Sequence, residues 1–278
     1  MPLVEVGVRR AGTSGAERGA YAVVTLCDPD RRNVLSGEMV REIVAAFDRL
    51  ESATDPAVGA IVVTGAGRAF CAGADLAGLE AARPGGAPSA GEHREAGAGL
   101  RAIYEGFLRV ARCPLPTIAA VNGPAVGAGM NLALSCDVRL VGERGRFECR
   151  FAELGLHPGG GHTWLLHRAV GPEAAAAMLL FNEVLTGEEA VRRGLAWSSV
   201  PGEELLEAAG ELAASAAAVP PELSRRIKQS LARAAGLASH SDAVDAELDA
   251  QLWSVRQPFF AERLAAMRDR IATRSRPG

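Results

Sequence analysis

The chain has 278 residues, 48% of them hydrophobic, and 30 Lys and Arg against 33 Asp and Glu, for a formal charge of −3. That length suffices for a sizeable core, the near-neutral charge gives no reason to expect a nucleic-acid partner, and no apolar run is long enough to span a bilayer. Five cysteines (Cys27, Cys71, Cys113, Cys136 and Cys149), odd in number and without a CxxC pair, argue against a disulfide framework or structural zinc site and fit a reducing cytoplasm.

Taken in chain order, segments 3–9 and 21–27 read as a strand pair separated by the turn-rich stretch Gly12–Gly19. Ser36 is placed as an N-cap for a helix whose Met39, Val40, Ile43, Val44, Phe47 and Leu50 recur at helical spacing. Ala60–Thr64 reads as a buried strand ended by Gly65-Ala-Gly67. Segment 80–99 is glycine-rich and reads as the mobile part of the chain, with an amphipathic helix from about 100 to 111. Thr117–Val121 is the next strand, then come a small-residue turn, a helix over about 128–135 and a short strand at Val138–Val141. This alternation implies parallel pairing with right-handed crossovers. From Thr163 onward helical patterns dominate: 163–169, 172–181, 187–193, 203–218, 221–235, 242–255 and 258–273. The chain therefore divides into an α/β core over 1–200 and a helical region over 201–278.

Two glycine-rich turns each follow a buried strand: Gly67-Arg-Ala-Phe-Cys-Ala-Gly-Ala-Asp75 and Asn122-Gly-Pro-Ala-Val-Gly-Ala-Gly-Met-Asn131, the second opening a helix. Small residues leave backbone N–H groups unshielded, and a helix N-terminus adds partial positive charge. Two such groups converging from separate strands form an oxyanion hole for a thioester carbonyl. Either turn alone is more simply an ordinary strand–helix connection. Neither is a dinucleotide fingerprint, because Leu132 stands where the third glycine belongs and no suitable acidic residue follows. No GxxxxGK loop or GxSxG elbow is present.

Together the motifs resemble the crotonase (enoyl-CoA hydratase/isomerase) family. Gly67–Leu76 is similar to its first oxyanion segment and Ala119–Asp137 to its second. Phe151–Gly161 with Arg168–Gly171, then Thr186–Ala190 with Gly194-Leu195, follow in family order, and Asn33-Val-Leu35 resembles a segment lining the CoA pocket. The resemblance covers roughly 30–260. It implies a crotonase-like α/β fold, a stacked ββα spiral core with a helical C-terminal trimerisation region. It also implies a cytoplasmic homotrimer or hexamer (a dimer of trimers) acting on an acyl-CoA substrate, with coenzyme A entering as part of the substrate and no tightly bound cofactor. The N–H groups of Ala74 and Ala128 would hold the thioester oxygen. Ala72, Asp75 and Leu76 would line the adenine and pantetheine channel, and Arg32 would approach the pyrophosphate. Phe259 and Phe260 start the last helix, which in this family helps to close the CoA site; their plainer reading is core packing.

One departure bears on the chemistry. Related hydratases use two glutamates, one to activate water and one to deliver a proton at the α-carbon. Laid without a gap from Asn122 to Pro158, the pattern puts Asn131 at the first glutamate position and Phe151 at the second. Neither side chain exchanges a proton near neutral pH. A shifted frame would bring in Glu148 or Glu153 but would break the Gly155 and Pro158 anchors. If 150–154 is extended, Glu153 shares a face with Phe151; its plainer reading is a solvated or salt-bridged glutamate. His157 and His162 flank the turn Pro158-Gly-Gly-Gly161 and are candidate acid–base groups, as is His93, while Asp75 is expected to hold a turn. With His167, the first two histidines lack a recognised metal-ligand spacing. The leading expectation is an enolate-forming CoA-thioester enzyme that hydrates crotonyl-CoA weakly. The alternative is a non-catalytic acyl-CoA-binding protein.

Overall fold

The structure is a computed structural model that describes residues 1–10, 19–54, 56–75, 77, 80 and 90–274. Most of the turn expected before Gly19, as well as Leu76 and the side chain of His93, lie outside the described residues.

Contacts divide the chain into two compact units, Met1–Ala218 and Val219–Gly278. In the first, β1 (Val4–Arg10) and β2 (Ala20–Leu26) pair antiparallel, as the alternation at the start of the chain predicts. β3 (Val58–Gly65), β4 (Thr117–Val121), β6 (Val138–Gly142) and β9 (Ser198–Val200) then add in parallel, giving the order β1-β2-β3-β4-β6-β9. A smaller sheet pairs β7 (Arg146–Glu148) with β5 (Pro124–Val126) and with β8 (Leu185–Thr186). These short strands have too few residues to show a period in sequence.

Both faces of the main sheet are covered, which is why β3 and β4 are buried along their whole length. Helix α1 (Gly37–Ser52) starts where Ser36 Oγ accepts a hydrogen bond from Met39 N at 3.2 Å. Its Met39, Ile43, Phe47 and Leu50 share one core cluster with Val24, Ile61, Val63 and Ala119. On the other face, Tyr21, Ala60, Val62 and Ile118 pack with Leu205, Ala209 and Ala213 of α6 (Leu205–Ala217). Because α6 caps this sheet face, the first compact unit runs past residue 200 to Ala218.

Helix α2 spans Ala90–Ala111 and so begins about ten residues before the position its hydrophobic period suggests. Glycines at 91, 97 and 99 lower the local helix propensity. The alanines, Glu92, Arg94 and Glu95 between them favour a helix, and Phe107 and Val110 anchor its far end in the core. Arg109 ties α2 to α1 through Asp48 at 2.9 Å and Glu51 at 2.7 Å. After α3 (Ala128–Leu134) comes α4 (His162–Leu180), which bends at Gly171 (φ 79°) just before Pro172, so two helical stretches meet there as the proline implies. Helix α5 (Gly187–Arg192) is closed by a capping box of Thr186 and Glu189.

The second unit is helical: α7 (Pro221–Ala234), α8 (His240–Ser254) and α9 (Pro258–Arg274). Arg226 stacks 4.0 Å from the centre of the Trp253 ring, and Phe259, at the start of α9, packs 6.2 Å from that ring.

Candidate active site

Two loops at the carboxyl ends of β3 and β4 meet because the chain stitches them together. Arg32 and Asn33 both adopt left-handed backbone (φ 56° and 57°), which turns the Asn33 side chain inward. Its fully buried amide Nδ2 donates to the carbonyls of Ala66 and Ala69, both at 2.9 Å, and its Oδ1 accepts from Asp28 N. Ala72 N donates to Arg32 O at 2.9 Å, Leu35 N to Gly73 O at 2.8 Å, and Val126 N to Cys71 O at 3.0 Å.

These bonds bring Gly73 against the second loop. A Cβ at Gly73 (φ 101°) would stand 2.8 Å from Val126 O and 3.7 Å from Ala128 N. Ala74 and Ala128 border the same cavity of about 360 Å³. Among the described residues neither N–H has a hydrogen-bond acceptor. At Ala128 this follows from its place in the first turn of α3, where helix N–H groups have no partner within the helix.

The cavity wall carries Leu100, Ile103 and Tyr104 of α2, together with Asn131, Phe151 and His157. No carboxylate lines it among the described residues. Asn131 is 1% exposed, and its Nδ2 donates to Gly159 O at 3.1 Å while its Oδ1 lies 2.8 Å from Nδ1 of His162. His162, also 1% exposed, reaches Cys149 Sγ through Nε2 at 3.3 Å and meets the Phe151 ring edge-on at 4.8 Å. Burial pushes the His162 imidazole down to about 4 and the Cys149 thiol up to about 12. His162 is therefore a neutral group behind Asn131 rather than a group on the cavity wall. His157 is exposed at the rim, with Nδ1 2.7 Å from Pro158 O.

Outside the cavity runs an arginine-rich groove. Its inner part, about 540 Å³, is bordered by Arg31, Arg32, Ala72, Asp75, Arg146 and Arg150, and an outer part of about 580 Å³ adds Arg68 and Arg144. Asp75 accepts from Ala77 N at 3.3 Å, the turn bond expected of it, and pairs with Arg31 at 2.6 Å. Glu148 is buried between Arg146 at 3.2 Å and Arg150 at 2.5 Å. Residues 151–155 form a turn, so the extended conformation that would align Glu153 with Phe151 is not adopted. Glu153 instead stands on the groove, 48% exposed and 3.9 Å from Arg150.

Sequence reading thus names Ala72, Ala74, Ala128, Asn131, Phe151 and His157 on one cavity, and Arg32, Asp75 and Glu153 on the groove that shares its mouth. Phe259 belongs to the separate helical unit. Among the polar and ionisable residues of the cavity, Tyr104, Cys149 and Arg150 were not named as site candidates. Tyr104 had a signal, since Leu100, Ile103, Tyr104 and Phe107 recur at helical spacing. The placement of Cys149 and Arg150 shows only once the chain turns after β7, burying Cys149 and leaving Arg150 exposed where cavity and groove meet.

The family model for enoyl-CoA hydratase/isomerase matches residues 16–257. The chain belongs to the enoyl-CoA hydratase/isomerase family. Its fold is accordingly the crotonase fold, an α/β core followed by C-terminal helices. A Mycobacterium tuberculosis member described as a probable enoyl-CoA hydratase, EchA14, is 49% identical over 254 residues, which cover 90% of this chain and 94% of that one. The 1,2-epoxyphenylacetyl-CoA isomerase of Escherichia coli is 34% identical over 85% of each chain. A Thermobifida fusca protein described as an enoyl-CoA hydratase and solved in complex with acetoacetyl-CoA is 30% identical, with a TM-score of 0.77 over 91% of this chain and 95% of that one. Enoyl-CoA hydratase/isomerase family membership makes the chain an enzyme acting on acyl-CoA.

Proposed function

We propose that the chain binds an acyl-CoA with its thioester oxygen between the N–H groups of Ala74 and Ala128, and that it turns the thioester over by moving an α-proton rather than by adding water. The observation that carries this is the pair of uncapped amides on a cavity whose described lining holds no carboxylate. Negative charge that develops on the oxygen as the α-C–H bond breaks is stabilised by two oriented donors, each contributing about 3–4 kcal/mol. The electron pair of that bond enters the enolate, and the proton needs an acceptor.

His157 supplies one. A carbonyl oxygen can only accept, so Nδ1, at 2.7 Å from Pro158 O, carries the ring proton and Nε2 keeps the lone pair. Return of the proton at the γ-carbon gives a double-bond isomer. Hydration lacks its usual groups, because Asn131 and Phe151 occupy the glutamate positions. The phosphates of CoA lie along the arginine-rich groove, with Arg32 and Arg146 as contacts, a reading that rests on the shared border of groove and cavity.

A second reading, binding without turnover, draws on the buried network that fixes Asn131 and leaves His162 neutral. Calorimetric titration with butyryl-CoA, combined with deuterium incorporation at the α-carbon of 3-butenoyl-CoA, separates the two. Binding with exchange that falls at least tenfold in His157→Gln supports proton transfer. Binding without exchange supports the second reading, and rapid hydration of crotonyl-CoA overturns the assignment of Asn131 and Phe151. The helical unit is proposed to form trimer contacts, since Ile227, Leu231 and Leu252 expose 50%, 70% and 44% of their surface; sedimentation equilibrium tests this.

A further inference from the structure

The buried row Gly159–Asn131–His162–Cys149 has one consistent arrangement of hydrogens, and the carbonyl at its end sets it. Gly159 O can only accept, so the Asn131 atom at 3.1 Å is the NH2 nitrogen and Oδ1 faces His162. An amide oxygen accepts, so His162 Nδ1, at 2.8 Å, must carry the ring proton. The ring is neutral, which leaves Nε2 as an acceptor, and Cys149, held as a thiol by its burial, donates S–H to it at 3.3 Å. Reversing any member would set two donors or two acceptors against each other in a largely buried row, at a cost that a solvated site avoids.

The NH2 group of Asn131 has two N–H bonds, and Gly159 O takes one. Among the described residues no acceptor takes the other, and Asn131 borders the cavity. Asn131 lies three residues after Ala128 on α3, hence on the same side of the helix and about 4.5 Å along its axis. An acyl group whose thioester oxygen accepts from the Ala128 N–H extends its β-substituent along the same cavity toward Asn131. We infer that His162 is a positioning residue that locks the Asn131 amide as a hydrogen-bond donor, so that the cavity selects acyl groups carrying an acceptor oxygen at the β-carbon. This rests on the acyl-CoA reading given under Proposed function. A carboxylate at 131 could not play the part, because it would accept from His162 and repel Gly159 O.

Acetoacetyl-CoA and butyryl-CoA, equal in length and differing by the 3-oxo group, make the test. The ratio of their dissociation constants is measured by calorimetry for the wild type, Asn131→Leu, His162→Phe and His162→Gln, each first checked for folding by circular dichroism. The wild type is expected to prefer acetoacetyl-CoA about tenfold. Asn131→Leu and His162→Phe should bring the ratio to near one, and His162→Gln, whose side-chain NH2 can still donate to Oδ1, should recover part of it. The nitrogen chemical shifts of the ring in the wild type give a readout that needs no variant: a protonated Nδ1 and an unprotonated Nε2, unchanged from pH 6 to pH 9. A wild-type ratio of one, with both thioesters bound, overturns this inference and leaves the acyl-CoA reading standing. Failure of both thioesters to bind overturns this inference and the acyl-CoA reading together. An Nε2-protonated ring overturns the assignment of His162 whatever the ratio.

Discussion

Gly73 lies so close to Val126 that a methyl group on its α-carbon would come within 2.8 Å of the Val126 carbonyl oxygen. No shift of a flexible side chain can relieve that contact, because the obstacle is backbone. Gly73→Ala would also force a side chain onto a φ of 101°. The expected outcome is separation of the two loops, with a fall in thioester turnover of about 100-fold and a stability loss of about 1–3 kcal/mol. Steady-state kinetics beside urea unfolding measures both.

Asn33→Ala removes the amide that holds the first loop to the turn between β2 and α1. The buried Ala69 carbonyl and the part-buried Ala66 carbonyl lose a donor, Asp28 N loses its acceptor, and alanine takes over a left-handed backbone position. A loss of about 2–4 kcal/mol in urea unfolding is expected. Asn33→Asp should be no milder, since it would face a carboxylate toward the Ala66 and Ala69 carbonyls.

The buried His162 makes stability depend on pH. Its folded pKa, about 4, is below the ordinary 6.5, so between these values the unfolded chain binds more protons. The stabilisation is therefore whole above pH 6.5 and is lost as pH falls toward 4, at up to about 1.4 kcal/mol per pH unit. Denaturant midpoints from pH 7.5 to 4.5 should fall more steeply in the wild type than in His162→Gln.

Arg32 stands on both parts of the groove. Arg32→Ala is expected to raise the dissociation constant of free CoA by about 3–10-fold at low salt, and by less at 0.5 M salt, where exposed charges are screened. An equal loss at both salt levels would place the phosphates elsewhere.

What could be read in advance follows the range of the forces involved. Continuous apolar runs such as Ala60–Thr64 and Thr117–Val121 mark the buried parallel strands, and Ser36 marks the start of α1. The two glycine turns mark the candidate site, since little besides a close backbone approach calls for so many small residues. The start of α2 was hidden by glycines whose cost is met elsewhere, in the core contacts of Phe107 and Val110. Glu153 takes the plainer of its two readings, a solvated and salt-bridged glutamate, because a left-handed residue, Arg150, turns the chain just before it. The partnership of Asn131 with His162, 31 positions apart, exists only once α4 is docked against α3.

The two N–H groups at the head of the cavity belong to the main chain, and every residue except proline carries one. No ordinary substitution deletes such a donor, while the side chains beneath it, at 104, 131, 151 and 157, are free to drift. On the proposed reading, a scaffold built this way keeps its grip on the thioester as its floor changes, so new reactions can arise through neutral steps that never abolish substrate capture.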